Sequence, residues 1–274
     1  MPFRRFLKNH KAVLGAAMVL VYVAVALLAP WLAPHNATKP DLDLALKPPR
    51  PGYLLGNDEL GRDILSRIIW GARISLLIGL MGTAIAVAGG ILFGAVAGYF
   101  GGLIDSIIMR VMDILLAFPS FLLALAIVAI LGPGLINLML AVGIFSIPSF
   151  SRVVRGSVLS VKNLDFIEAG RAQGFTDVRI LFRHVLPNCL APIIVLATMR
   201  IATAILTASG LSFLGLGAQP PTPEWGAMLS NGRDYLRSAP HLSTFPGLAI
   251  MFGVLGFNLF GDGLRDALDP RLKT

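Results

Sequence analysis

Long apolar stretches alternate with short polar ones along the chain, and their lengths set the expected elements. Six stretches approach the ~20 residues a helix needs to cross a hydrocarbon core of ~30 Å. They run roughly over 12–33, 74–98, 113–131, 135–153, 190–216 and 245–262. Between the fourth and fifth lies a polar, basic segment, LDFIEAGRAQGFTDVRILFRHVLPN, over 164–188. Asp165 followed by Glu168 has the spacing of a capping box, Gly174 interrupts the helical pattern, and Thr176 is placed to cap a second helix that Pro187 ends. Two short helices joined at Gly174 are therefore expected. In the second, Phe175, Val178, Phe182 and Val185 recur at helical spacing, with Arg179 and Arg183 on other faces. Such a face either docks on another protein or lies on lipid headgroups.

A second polar connector spans 219–242. Pro220, Pro221 and Pro223 are expected to stop the preceding span. Trp225, Met228, Leu229 and Leu236 then give a short helix an apolar face, with Arg233 and Asp234 exposed. That helix is read either as an interfacial anchor, which suits Trp225, or as an external scoop.

Within the spans, Ala86, Gly90, Gly94 and Gly98 share one helix face, where another backbone can approach closely. Pro119, Pro148 and Pro192 lie within or at the start of spans, where a missing hydrogen bond permits a kink.

Composition then fixes the class. A chain of 274 residues that is 55% hydrophobic and only 14% charged, with mean hydropathy +0.77, is an all-α integral membrane protein of six transmembrane helices. The first stretch is too long for the apolar region of a signal peptide, and Pro30 and Pro34 flank the only plausible cleavage site, so it is expected to stay as a span.

Lys and Arg give the orientation. With a cytoplasmic N-terminus, fourteen fall on the inner face: Arg4, Arg5, Lys8, Lys11, Arg110, Arg152, Arg155, Lys162, Arg171, Arg179, Arg183, Arg265, Arg271 and Lys273. Eight fall outside, at Lys39, Lys47, Arg50, Arg62, Arg67, Arg73, Arg233 and Arg237. Both termini and the 164–188 segment are thus expected in the cytoplasm. The basic stretch from Arg62 to Arg73 reads as an amphipathic, interfacial extension of the second span. The net charge of +8 needs no nucleic-acid partner, since inner loops account for most of it.

Arg200 is the one basic residue deep inside a span, about 16 Å along the fifth helix. An isolated arginine there costs ~2.5–3.5 kcal/mol on insertion scales, so it either lines a pore or snorkels toward water.

No catalytic chemistry is legible. The chain lacks a phosphate-binding loop, a zinc-protease motif and any Cys/His cluster at ligand spacing. Cys189 stands alone, and His10, His35, His184 and His241 fall in loops or at a helix end. Energy for pumping must come from another chain or from an ion gradient.

Glu168-Ala169, Gly174 and Leu186-Pro187 resemble the EAA signature of bacterial ATP-binding-cassette importer permeases. Three further stretches, LGNDELGRDILSRIIWGARISL (55–76), LSFLGLGAQPPTPEWGAMLSNGRDYL (211–236) and NLFGDGLRDALDPR (258–271), are similar to the second permease subunit of the dipeptide, oligopeptide and nickel group. The chain departs from the signature in having Gly170 where Ala is common.

The resemblance implies a type I importer permease fold with cytoplasmic coupling helices. It implies an N-terminal tail, first helix and external segment over 1–72, a five-helix permease domain over 73–262 with its coupling loop at 160–188, and a cytoplasmic tail over 263–274. It further implies a bacterial inner-membrane heterodimer with a second permease, two ATPase subunits and an extracytoplasmic substrate-binding protein. ATP and Mg would then bind the ATPases, with no cofactor on this chain and no enzyme activity of its own. The ATPase contact would fall on Asp165, Glu168, Ala169, Gly170, Ala172, Gly174, Leu186 and Pro187, with Glu168 capping or forming a salt bridge. Arg200 would face pore or substrate, and Trp225, Met228 and Leu229 would form the external scoop. Peptide cargo is expected over nickel, because Arg200 repels a dication and tolerates a peptide carboxylate. An ion-coupled secondary transporter is the alternative class; it calls for inverted repeats and paired intramembrane acids, and neither is evident.

Overall fold

A computed structural model describes residues 6, 7 and 9–268. Arg4, Arg5, Lys8, Arg271 and Lys273, together with the end of the expected 263–274 tail, lie outside the described residues. All of the long elements are helices. α1 (His10–Leu27) starts at Asn9, whose side chain accepts the Lys11 and Ala12 N–H groups, and leads to a single turn, α2 (Ala29–Leu32). A segment of turns over 33–63, with a 3-10 turn at Leu42–Leu44, follows. Asp63 then opens α3 (Ile64–Phe100) by accepting the Ser66 N–H at 2.9 Å. At 37 residues, or about 55 Å, α3 overshoots the hydrocarbon core and stands beyond it.

The third apolar stretch departs from a single span. Its residues divide between α4 (Gly102–Ala117) and α5 (Ser120–Leu131), which meet at 95°. The cause is Pro119: it forces Phe118 into extended backbone, φ −82° and ψ 139°, so the helix cannot run on. α6 (Leu135–Val161) returns across the membrane and, unlike α4–α5, continues through its internal Pro148.

Two short helices follow, α7 (Asp165–Ala172) and α8 (Asp177–Ile180). Pro187 does not end the second. A π turn over Leu181–Val185 and a 3-10 turn over Leu186–Cys189 accommodate the missing N–H, and the chain runs into α9 (Leu190–Phe213). α9 in turn stops before the prolines, at Leu214, where Gly215 takes a positive φ of +82°. α10 (Trp225–Gly232) and α11 (His241–Leu268) are the last of the described elements.

The six crossings bring both described ends to one end of the bundle, where Asn9 Nδ2 donates to Asp266 Oδ2 at 3.2 Å. The segment over 162–188 sits at that same end and is referred to below as the connector. The opposite end is covered by the 33–63 segment and the 214–240 loop, together the cap.

α3 and α6 form the most extensive helix pair. A methyl group at Gly90 would overlap Phe150, and at Gly98 it would come within 3.0 Å of the Arg155 carbonyl and the Val158 side chain. The small-residue face over Ala86–Gly98 is therefore a helix seam, its partner being α6. Around it, Ile78, Val128, Leu138 and Leu211 pack one core cluster, and Tyr22, Ile64, Ile205 and Trp225 another nearer the cap.

Candidate functional site

At the connector end, α7 and α8 are fixed from below by the ends of α3 and α6. Lys162 Nζ donates to the Gly98 carbonyl at 2.8 Å, covering an unpaired acceptor at the C-terminus of α3. Tyr99 Oη donates to Asp177 Oδ1 at 2.6 Å, tying the same helix end to the first turn of α8. Arg155 grips Asp105 through two nitrogens, Nε at 2.6 Å, holding α4 to α6. Ile167, Ile180, Leu181, Val185 and Cys189 are buried beneath the connector.

The local geometry corrects several expectations. The cap residue of α7 is Leu164, and no side chain caps it; Asp165 is already the first helical residue, so the Asp165/Glu168 pair is not a capping box. Both acids instead lie in the first turn, where they favour the helix dipole. Thr176 does cap α8, accepting the Arg179 N–H at 3.4 Å. Gly174 has φ +79° with open space around it, so a side chain there is opposed by backbone strain alone. Gly170 is buried, and an added methyl group would lie 3.3 Å from the Phe175 ring, which accounts for glycine at that position.

The expected apolar face of the second helix splits. Val185 is sealed in the core and Phe175 half-buried, its ring held under the Arg179 guanidinium at 4.1 Å. Val178 and Phe182 point away, 65% and 64% exposed. The π turn shifts the register between them, so four residues at helical spacing do not share one face. On α7, Phe166 is also exposed, as are Asp165, Glu168, Ala169 and Ala172; Gly174 is exposed beyond it, with Leu186 half-buried and Pro187 exposed. Among the described residues Glu168 makes no side-chain hydrogen bond or ion pair, contrary to a capping or salt-bridging role within this chain. The connector therefore presents an outer surface of acids, the arginines Arg171, Arg179 and Arg183, small residues and unpartnered apolar side chains.

At the cap, Trp225 and Met228 are 3% and 5% exposed. Trp225 stacks on Tyr22 at 5.3 Å, donates Nε1–H to the Ile68 carbonyl at 3.0 Å, and fits against Gly71, where a methyl group would clash with it. It neither anchors in headgroups nor reaches outward as a scoop; it clamps α10 to α1 and α3. Leu229 is half-buried and Leu236 is exposed, while Arg233 and Asp234 face solvent as expected.

The residues that sequence reasoning missed lie here. Glu224 is fully buried and caps α10, accepting the Gly226 and Ala227 N–H groups at 2.9 Å each. Burial pushes its carboxyl above the ordinary range, against the opposing pull of those two bonds. Arg62 and Arg67, expected on an interfacial helix face, are each only 3% exposed. Arg62 Nε donates to Asp58 Oδ2 at 2.7 Å, its Nη2 to Glu59 Oε1 at 2.9 Å, and Arg67 Nε lies 3.2 Å from the same Asp58 oxygen. Asp58 and Arg62 stand four apart, a spacing that signals a pair but not its burial.

Arg200 is half-buried on α9 and makes no hydrogen bond or ion pair among the described residues.

A bundle of long apolar helices, crossing six times, with a polar connector clamped to the helix ends and a folded cap opposite, is the architecture of a transport permease. The chain belongs to the binding-protein-dependent transport system inner membrane component family, whose profile matches residues 90–274. The N-terminal TM domain of oligopeptide transport permease C matches residues 2–49. The chain is 51% identical to the glutathione transport system permease protein GsiD of Pectobacterium atrosepticum, covering 99% of this chain and 91% of that protein. It is 50% identical to the di/tripeptide transport system permease protein DppC of Pseudomonas aeruginosa, covering 99% and 92%. The dipeptide transport system permease protein DppC of Alkalihalophilus pseudofirmus is 48% identical over 99% and 90%. Among solved structures, the inward-facing MetNI methionine ABC transporter superposes with a TM-score of 0.58 at 19% identity, over 75% of this chain and 98% of that one. That likeness establishes the type I importer permease fold. The chain is thus a multi-pass inner-membrane permease subunit of an ABC importer.

Proposed function

We propose that this permease imports short peptides, with the connector in the cytoplasm as the seat of the ATPase and the cap outside. The carrying observation is the connector's outer surface. Phe166, Val178 and Phe182 stay exposed on a segment otherwise rigidly clamped through Tyr99–Asp177 and Lys162–Gly98. Unpartnered apolar side chains on a polar, well-anchored element favour a protein groove, and a push on α7 or α8 would pass directly into α3 and α6.

In this reading Asp165, Glu168, Ala169, Gly170, Ala172, Gly174, Leu186 and Pro187 form or support the docking surface. ATP and Mg bind the ATPase chains, and a second permease completes the pathway. A binding protein delivers cargo at the cap, and both ends of the chain lie in the cytoplasm beside the connector. Arg200, charged and unpaired near mid-helix, faces the pathway or the second permease and tolerates a peptide carboxylate. The relatives named for di- and tripeptides, dipeptides and glutathione favour peptides over nickel.

The test is uptake of radiolabelled dipeptide, glutathione, oligopeptide and nickel by cells with and without this chain, its neighbouring subunits intact. Loss of dipeptide or glutathione uptake alone supports the assignment. Loss of nickel uptake alone overturns the cargo.

A further inference from the structure

The cap holds a cavity of about 160 Å³ where the 33–63 segment, the start of α3, the end of α9 and α10 meet. Both buried arginines line it, with Glu59, Ser212 and Asn231. Each arginine is only partly committed to the protein. Arg62 uses Nε on Asp58 and Nη2 on Glu59; Arg67 gives Nη1 to the Ala37 carbonyl at 2.9 Å and sets Nε beside Asp58. Arg62 Nη1 and Arg67 Nη2 have no acceptor among the described residues, nor are they sealed away from open space. Glu59 shows the complementary feature: Oε1 receives Arg62 and Asn231, whereas Oε2 receives no donor among the described residues. Ser212 is buried in the same wall.

Unused guanidinium nitrogens beside an unused carboxylate oxygen in one cavity match a molecule bearing both signs. A simple anion meets the Glu59 carboxylate, and a simple cation meets the two arginines, so neither is favoured alone. We propose that this cavity binds the charged termini of a short zwitterionic peptide, the carboxylate on Arg62 and Arg67 and the ammonium on Glu59. It acts as a landing site in the cap before the peptide passes between the helices. The inference rests on the peptide-import reading for its place in transport, but the binding is measured separately.

The assay is ligand-observed NMR and calorimetry on the transporter assembly, purified through a tag on this chain in lipid nanodiscs without ATP or binding protein. Probes are Ala-Ala, N-acetyl-Ala-Ala, Ala-Ala amide and alanine. Ala-Ala is expected to bind, and each capped form about tenfold or more weakly, because each loses a charge-assisted hydrogen bond. Alanine carries both charges but fills less of the cavity of about 160 Å³, so it is expected to bind more weakly than Ala-Ala. Arg62→Ala removes a buried partner of Asp58 and endangers folding, so Ala227→Leu, which fills the cavity without touching the ion network, is the second variant. It is expected to abolish Ala-Ala binding while leaving the thermal transition in place. No binding of Ala-Ala at millimolar concentration, equal binding of a capped form or of alanine, or undiminished binding to Ala227→Leu would each overturn the site. A wild-type assembly that binds Ala-Ala as described yet imports no peptide would sink the cargo reading while leaving the cavity assignment in place.

Discussion

Tyr99, the penultimate residue of α3, donates its hydroxyl to Asp177 at 2.6 Å, so a side-chain bond ties a membrane-crossing helix to the first turn of α8 in the exposed connector. The aromatic ring also lies 6.0 Å from the Arg171 guanidinium on α7, so one residue touches both short helices. Tyr99→Phe keeps the ring and removes the bond. The membrane level of the variant is expected to match wild type, while peptide uptake per molecule falls several-fold, since the connector moves less strictly with α3. Unchanged uptake at equal expression would remove this bond from the coupling route.

Gly174 separates conformational from steric effects. Its positive φ disfavours any side chain by ~1 kcal/mol, yet no atom stands in the way. Gly174→Ala is expected to lower uptake partially through strain, and Gly174→Asp, whose side chain tolerates this backbone better, to abolish it by placing a charge on the docking surface while the protein still inserts. Uptake assays normalised to membrane-inserted protein distinguish these outcomes; full activity in Gly174→Asp would remove the turn from the docking surface.

Val178 and Phe182 contribute little to the fold because they are mostly exposed. The double variant Val178→Ser, Phe182→Ser should leave thermal stability within ~0.5 kcal/mol of wild type. Copurification of the ATPase with tagged permease should drop sharply. Retention of the ATPase at wild-type stoichiometry would place the docking surface elsewhere.

The α3–α6 seam has no room for side-chain growth. A methyl group at Gly94 would overlap the Ser151 carbonyl, which is backbone and cannot swing aside. Gly94→Val should therefore destroy the monodisperse peak in fluorescence-detected size exclusion, whereas Ala97→Gly, on the same helix, should keep it. A folded Gly94→Val would mean that the seam opens readily.

Glu224 gives a pH dependence with a definite sign. Its carboxyl is raised above the ordinary value of 4.5 by burial. A raised folded-state pKa contributes stability that is fully present below the unfolded value and is lost as pH rises through the folded one. The melting temperature of the detergent-solubilised protein is thus expected to decline as pH increases above about 4.5 through the raised range. Glu224→Gln, which retains an acceptor for the α10 N–H groups without the charge, should flatten that slope. A slope identical in both proteins would assign the titration to another group.

What the sequence determined by itself was whatever rests on local pattern. Apolar length placed the six crossings, the Lys and Arg distribution set the expected orientation, the spacing over Ala86–Gly98 marked a close-packed helix face, and Thr176 and Gly174 marked the break between the connector helices. Each depends on residues within a few turns of one another. Tertiary structure decided where one local signal met a distant surface. Trp225 looked like an interfacial anchor because an amphipathic pattern cannot say which side finds a partner; Tyr22 and Ile68, far off in sequence, bury it. Arg62 and Arg67 looked like surface charges because basic residues usually are, until Asp58 and the Ala37 carbonyl compensated their burial. Val178 and Phe182 parted from Val185 because a π turn over Leu181–Val185 shifts the register of the helix ahead of Pro187. Periodicity is a property of a segment, whereas burial and ion pairing belong to the pairs of segments that the fold brings together.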